Sequence, residues 1–210
     1  MKKQGDYTRI SEKIMSLATP IFSNKKYFDK KYINEPEYLQ MYRLHSRICG
    51  LLAEIGLSLN FIVDINRRYT IAPVKKDGGR FQRQAESDIS FIEKSSYLPI
   101  VLIDYETSDA PIYKMQEKFK YLSSFKKENE SIQIISLFIT VTEVQHNWNK
   151  ETYKERKSFA QKEILRLIKK IYEKDYNHNL KFLLGVFYKD HLELKLFQNK
   201  KEIKKRICKY

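Results

Sequence analysis

The stretch Ala85 to Leu122, AESDISFIEKSSYLPIVLIDYETSDAPIYKMQEKFKYL, constrains the fold of this chain more than any other. Ala85 to Ile92 and Leu98 to about Thr107 each read as a strand, and Pro111 opens a helix through about Lys126. The first strand carries Asp88; the second is apolar until it meets Asp104 and Glu106. Residues two apart on a strand share a face, so Asp104 and Glu106 project to one side and Tyr105 to the other. Two same-face carboxylates ending a buried strand repel each other unless a positive group sits between them or one takes up a proton. A divalent cation with oxygen ligands is the most economical answer. The plain alternative is a polar strand end paired with Lys94 or Lys114.

At 210 residues the chain is long enough for one sizeable core and short for two large domains. Its 40 Lys and Arg against 26 Asp and Glu leave a formal charge of +14. A polyanionic partner is the natural reading, against the alternative that the charge is compositional bias. Nucleic acid fits better than membrane, because no apolar run approaches the ~20 residues of a spanning helix and no signal-peptide pattern follows Met1. Cys49 and Cys208 lack metal-ligand spacing and form no disulfide framework, so an intracellular, reducing setting is expected.

The expected order begins with a short amphipathic helix from Thr8 to Ala18 closed by Pro20, then a basic loop. Asn34, Pro36 and Glu37 start a helix expected to run to about Ile55 and to end at Gly56. Leu57 to Ile65 alternates as a strand. Asn66 to Gln84 holds Arg67, Arg68, Lys75, Lys76, Arg80 and Arg83 around Asp77-Gly78-Gly79, a basic hairpin suited to gripping a phosphate backbone or simply an exposed loop. Ile132 to Val141 is a buried strand, Asn149 caps a helix to about Lys174, and Leu180 to Tyr188 pairs with His191 to Phe197. After Gln198 the tail is either a helix on phosphates or a loose end. The chain is thus read as one domain: a helix and basic loop over 1–33, a core over 34–141, a completing helix and hairpin over 142–197, and a basic tail over 198–210.

Asp88 on one strand, then IDYETS ending the next, inside a helix-strand-strand-strand-helix-strand order, resembles the restriction-endonuclease-like or PD-(D/E)XK nuclease superfamily. The resemblance spans about Asn34 to Val141 and implies an α/β fold with an αβββαβ core, a mixed central sheet flanked by helices. It further implies that Asp88 is the first magnesium-binding acid and that Asp104 or Glu106 is the second. The family's lysine is absent: Glu106 or Ser108 stands in its place, depending on which acid is the second. Lys114, Gln116 and Lys118 on the following helix are the implied substitutes, and His45 and Glu54 the positions where the preceding helix would contribute.

The function expected on that resemblance is hydrolysis of DNA phosphodiesters with Mg²⁺ or Mn²⁺, with a homodimer as the arrangement that pairs two sites. The alternative expectation is a nucleic-acid-binding or scaffolding protein on the same fold without chemistry, which the missing lysine favours.

Overall fold

The computed structural model describes residues 9–29, 43–70, 84–107, 131–140, 162, 166, 180–188 and 190–210. Their elements are α1 (Ile10–Ser23), α2 (His45–Ser58), β1 (Ile62–Thr70), β2 (Gln84–Ile92), β3 (Pro99–Thr107), β4 (Ile134–Thr140), β5 (Lys181–Phe187), β6 (His191–Gln198) and β7 (Lys201–Lys209). The seven strands form one sheet in sequence order. β1, β2 and β3 are an antiparallel meander, β3, β4 and β5 are parallel, and β5, β6 and β7 are antiparallel again. The fold is therefore α/β with a mixed sheet. The parallel strands are its apolar centre: every residue of β4 and of β5 is buried, as expected where both faces are covered.

Both helices lie on one face of the sheet. From α1, Ile14, Met15 and Phe22, and from α2, Ile48, Leu52 and Ile55, share one core with Phe91, Val101, Ile103, Phe138, Phe187 and Leu194. Phe22 packs edge-on against both Phe28 and Phe187. Cys49 is a buried core residue and Cys208 is likewise buried; both thiols are free.

Four boundaries differ from the sequence reading, each for a local reason. α1 does not stop at Pro20 but carries it inside. Pro20 and Ser16 are both exposed, so the carbonyl that proline leaves without an intrahelical donor faces solvent. α2 does not end at Gly56: it runs to Ser58, and Gly56 is buried, where an added Cβ would lie 2.5 Å from a Phe91 ring atom. The terminator is Asn60, with φ 66°. Its N–H donates to the Leu57 carbonyl at 2.9 Å and the Phe61 N–H to the Gly56 carbonyl at 3.1 Å, the paired bonds of a Schellman cap. As a result Leu57 is helical and 62 % exposed, and β1 starts at Ile62 instead. The basic tail is neither helix nor loose end but β7, turned from β6 through Asn199 and Lys200 at φ 50° and 66°. Two successive positive-φ residues between the partners Gln198 and Lys201 make the tight turn whose twist suits a hairpin.

A candidate active site at the open end of β2 and β3

The site is built by a distortion in β2. The β2–β3 register runs from Ile92↔Pro99, across a shift between Phe91 and Ile92, to Ile89↔Ile103 and ends there. On the other side of β2, Ile65↔Ile89 and Arg67↔Ser87 bracket Asn66, which therefore lies across from Asp88 with φ 56°. A regular strand would send Ser87 and Ser90 to opposite faces, yet their hydroxyls are 2.8 Å apart and both residues are buried. The strand is thus twisted around Asp88, and the carboxylate leaves its regular place in the alternation.

What Asp88 meets there is specific. Its Oδ2 accepts the Tyr105 main-chain N–H at 2.7 Å, standing in for a carbonyl rung beyond the last β2–β3 pair. Its Oδ1 lies 3.5 Å from His45 Nε2 at the start of α2. The Asp88 side chain is 15 % exposed and that of His45 36 %. His45 sits against the Tyr105 ring at a centroid distance of 5.4 Å and 3.8 Å from Cys49 Sγ. Its hydrogen bond to Asp88 and the Cys49 contact outweigh burial, and the imidazole pKa is raised to about 10. At neutral pH the site therefore holds an imidazolium beside a carboxylate.

Tyr105 closes the helix side of the site. Its hydroxyl lies 2.6 Å from Thr140 Oγ1 on β4, and burial pushes the phenol pKa up. Asp104 and Glu106, adjacent to Tyr105 on β3, project by alternation to the face away from α2. Asp104 is buried at 1 % exposure, while Glu106 is half-buried. The Asp88 carboxylate, fixed on the β3 main chain, turns toward His45 of α2, and the Glu106 side chain projects to the opposite face of β3. Carboxylate oxygens are donors that suit Mg²⁺ or Mn²⁺, whereas the imidazolium beside Asp88 is no ligand. Among the described residues, no three His, Cys, Asp or Glu side chains gather closely enough to hold a metal ion.

The other expected site residues divide in two. Glu54 is exposed on α2, in the third helical turn from His45. Arg67 and Arg68 belong to β1, but their side chains, together with Lys75, Lys76, Arg80, Arg83, Lys114, Gln116 and Lys118, lie outside the described residues. Sequence reasoning did not find the Tyr105 main-chain N–H, which no side-chain pattern encodes, or Cys49 as a neighbour of His45. The spacing of four between His45 and Cys49 on a helix was the available signal for the latter.

No described helix is long and apolar enough to cross a membrane. Comparison of the chain with protein-family models, with curated proteins and with solved structures found no match.

Proposed function

We propose that this chain is a metal-dependent nuclease that hydrolyses DNA phosphodiester bonds on a restriction-endonuclease-like, PD-(D/E)XK type core. The observation that carries the reading is Asp88 seated on the Tyr105 N–H at 2.7 Å, at the mouth where β2 leaves β3. The element order supports it too: a helix, an antiparallel three-strand meander, then a strand parallel to the third.

Asp88 and Glu106 would hold Mg²⁺ or Mn²⁺, with Asp104 as the deeper alternative to Glu106. When bound, such an ion lowers the pKa of its water and offsets charge developing on the phosphate. The residues of the chain do the rest. The Tyr105 N–H orients the Asp88 carboxylate, and His45 sets its Nε2 3.5 Å from the other carboxylate oxygen. Where Asp104 is the second acid, Glu106 stands in the position where the family has lysine and is the candidate base for the attacking water. The basic residues from Arg67 to Arg83 would align the DNA and make its binding salt-dependent. A homodimer would offer one site to each strand, in an intracellular setting.

A second reading has its own observation. Both oxygens of Asp88 already face partners, His45 and the Tyr105 N–H, which suits a binding or scaffolding protein that keeps the fold without chemistry. Cleavage of supercoiled plasmid and of a branched oligonucleotide in Mg²⁺, Mn²⁺ or EDTA separates the two. Metal-dependent nicking lost in Asp88→Ala and Glu106→Ala, with binding retained, is the expected result. Tight, salt-sensitive binding by the natural protein with no cutting would replace the first reading by the second.

A further inference from the structure

The residues from Lys200 to Lys209 carry six cations and one acid, Glu202, and the structure puts all but the turn residue Lys200 on a strand at the end of the sheet. β7 is paired on one side only, with β6, among the described residues. Two of its cations are matched by acids: Lys204 Nζ bonds Glu12 Oε2 of α1 at 2.8 Å, and Lys205 Nζ meets Glu193 Oε2 of β6 at 2.8 Å. Lys200, Lys201, Arg206 and Lys209 form no ion pair among the described residues. Lys201, Lys205 and Lys209 are exposed, as are Ile203 at 49 % and Ile207 at 50 %.

Charge on an edge strand has an ordinary use, which is to prevent the edge from pairing with another chain. β7 carries more than that use names: beside the lysines tied to Glu12 and Glu193 it exposes Lys201 and Lys209 together with Ile203 and Ile207. The nine residues of β7 extend about 27 Å at ~3.3 Å per residue, a length along which one strand of duplex DNA presents about eight phosphates. The sheet also places this strand away from Asp88: β2 and β7 are separated by β3, β4, β5 and β6, five spacings or about 24 Å at ~4.8 Å each.

We infer that β7 is a phosphate-binding ridge on which a nucleic-acid backbone lies, with Lys200, Lys201 and Lys209 as the contacts and Ile203 and Ile207 as the apolar floor. This rests on the reading of the chain as a DNA-acting protein, and it names a second anchoring surface, remote from the carboxylates, that holds the duplex while the strand at Asp88 is addressed. Lys204 and Lys205, tied to Glu12 and Glu193, act as structural fasteners of the ridge.

The test is fluorescence anisotropy of a labelled duplex oligonucleotide in EDTA across a salt series, so that turnover plays no part. The natural protein is compared with Lys200→Gln/Lys201→Gln/Lys209→Gln, with the same three positions changed to Arg, and with Lys13→Gln/Lys25→Gln/Lys26→Gln as an equal loss of charge elsewhere. Thermal unfolding of each variant confirms folding. The Gln triple at β7 should lower the slope of log K against log salt by about 2 to 3, at ~0.9 per lost phosphate contact, and weaken binding at least tenfold at low salt. The Arg triple and the control triple should keep the natural slope. Equal losses in both Gln triples would make the effect one of overall charge and overturn the ridge, as would an unchanged slope in the β7 triple or no binding by the natural protein. Loss of binding at β7 in a protein that never cuts would keep the ridge and sink only the nuclease reading.

Discussion

Gly185 sits in the middle of β5, directly across from Phe138 of β4. An alanine Cβ at 185 would run into Cδ1 and Cε1 of the Phe138 ring and lie 3.1 Å from its Cγ. The ring cannot step aside freely, since Phe138 has no exposed surface and packs against Phe187. Overpacking of this kind costs about 1–3 kcal/mol, while replacing a strand glycine returns about 0.5–1 kcal/mol of backbone entropy. Gly185→Ala should therefore lose about 1–2 kcal/mol net. For a chain of this size each kcal/mol moves Tm by about 2–4 °C, so differential scanning calorimetry should find Tm lowered by about 2–8 °C. Gly50 supplies the control: it is exposed on α2, with nothing within 4 Å of an added Cβ. There the same substitution should stabilise by up to ~1 kcal/mol. A second test uses Phe138→Leu, which removes the obstructing ring. The double variant Gly185→Ala/Phe138→Leu should be more stable than the sum of its parts by about 0.5–3 kcal/mol. A Gly185→Ala protein that melts at or above the natural one, or strict additivity in the double variant, would refute the argument from the ring.

Two further outcomes follow from ionisable groups. Glu193 is buried; burial pushes its pKa up, but hydrogen bonds from Lys195 and Lys205 outweigh that and leave it lowered. Lys195 and Lys205 are direct cross-strand partners, so Glu193→Gln sets two lysines against each other and should cost about 1–3 kcal/mol. A lowered carboxylate pKa contributes stability above the unfolded value of 4.5, lost as pH falls through the folded value. Urea unfolding should thus separate the variant from the natural protein at pH 7, with the difference shrinking only as pH falls below 4.5 toward the lowered folded value. His45 has the opposite sign. Its pKa is raised from 6.5 to about 10, so its pairing with Asp88 stabilises fully below pH 6.5 and declines to nothing above about pH 10. Because His45 is 36 % exposed, solvent screening keeps the effect under about 1 kcal/mol. The Tm difference between the natural protein and His45→Gln in EDTA should shrink steadily from pH 6 to pH 10, and a difference that grows over that range would exclude the pairing.

The middle of the sheet was legible because its signals are local. β2, β3, β4, β5 and β6 each lie within two residues of the runs read as strands, and each run is apolar or alternating with a turn beside it. Where the reading went astray, two signals competed. Leu57 and Leu59 satisfy strand alternation, but Asn60 closes a Schellman cap that keeps Leu57 in the helix, and Gly56 has the composition of a terminator although Phe91 packs against it. β7 was hidden because its lysines and arginine occupy positions where alternation would call for apolar residues. Lys204 turns toward α1 and its Glu12, and only Cys208 enters the core from this strand. At the site, Asp88, Asp104 and Glu106 could be named from composition and spacing. The turn of Asp88 toward His45 could not, since it depends on the distortion opposite Asn66 and on where β2 stops pairing with β3.

That Asp88 is oriented by a main-chain amide has a consequence for how this site tolerates change. A side-chain donor can be deleted by many single substitutions; the Tyr105 N–H can be removed by proline alone among the coded residues. Position 105 is therefore free to exchange its phenol for another ring that fills the space between His45 and Thr140, while the aspartate keeps its bearing. Diversification at that position would alter the wall of the site and leave the aim of its central carboxylate intact.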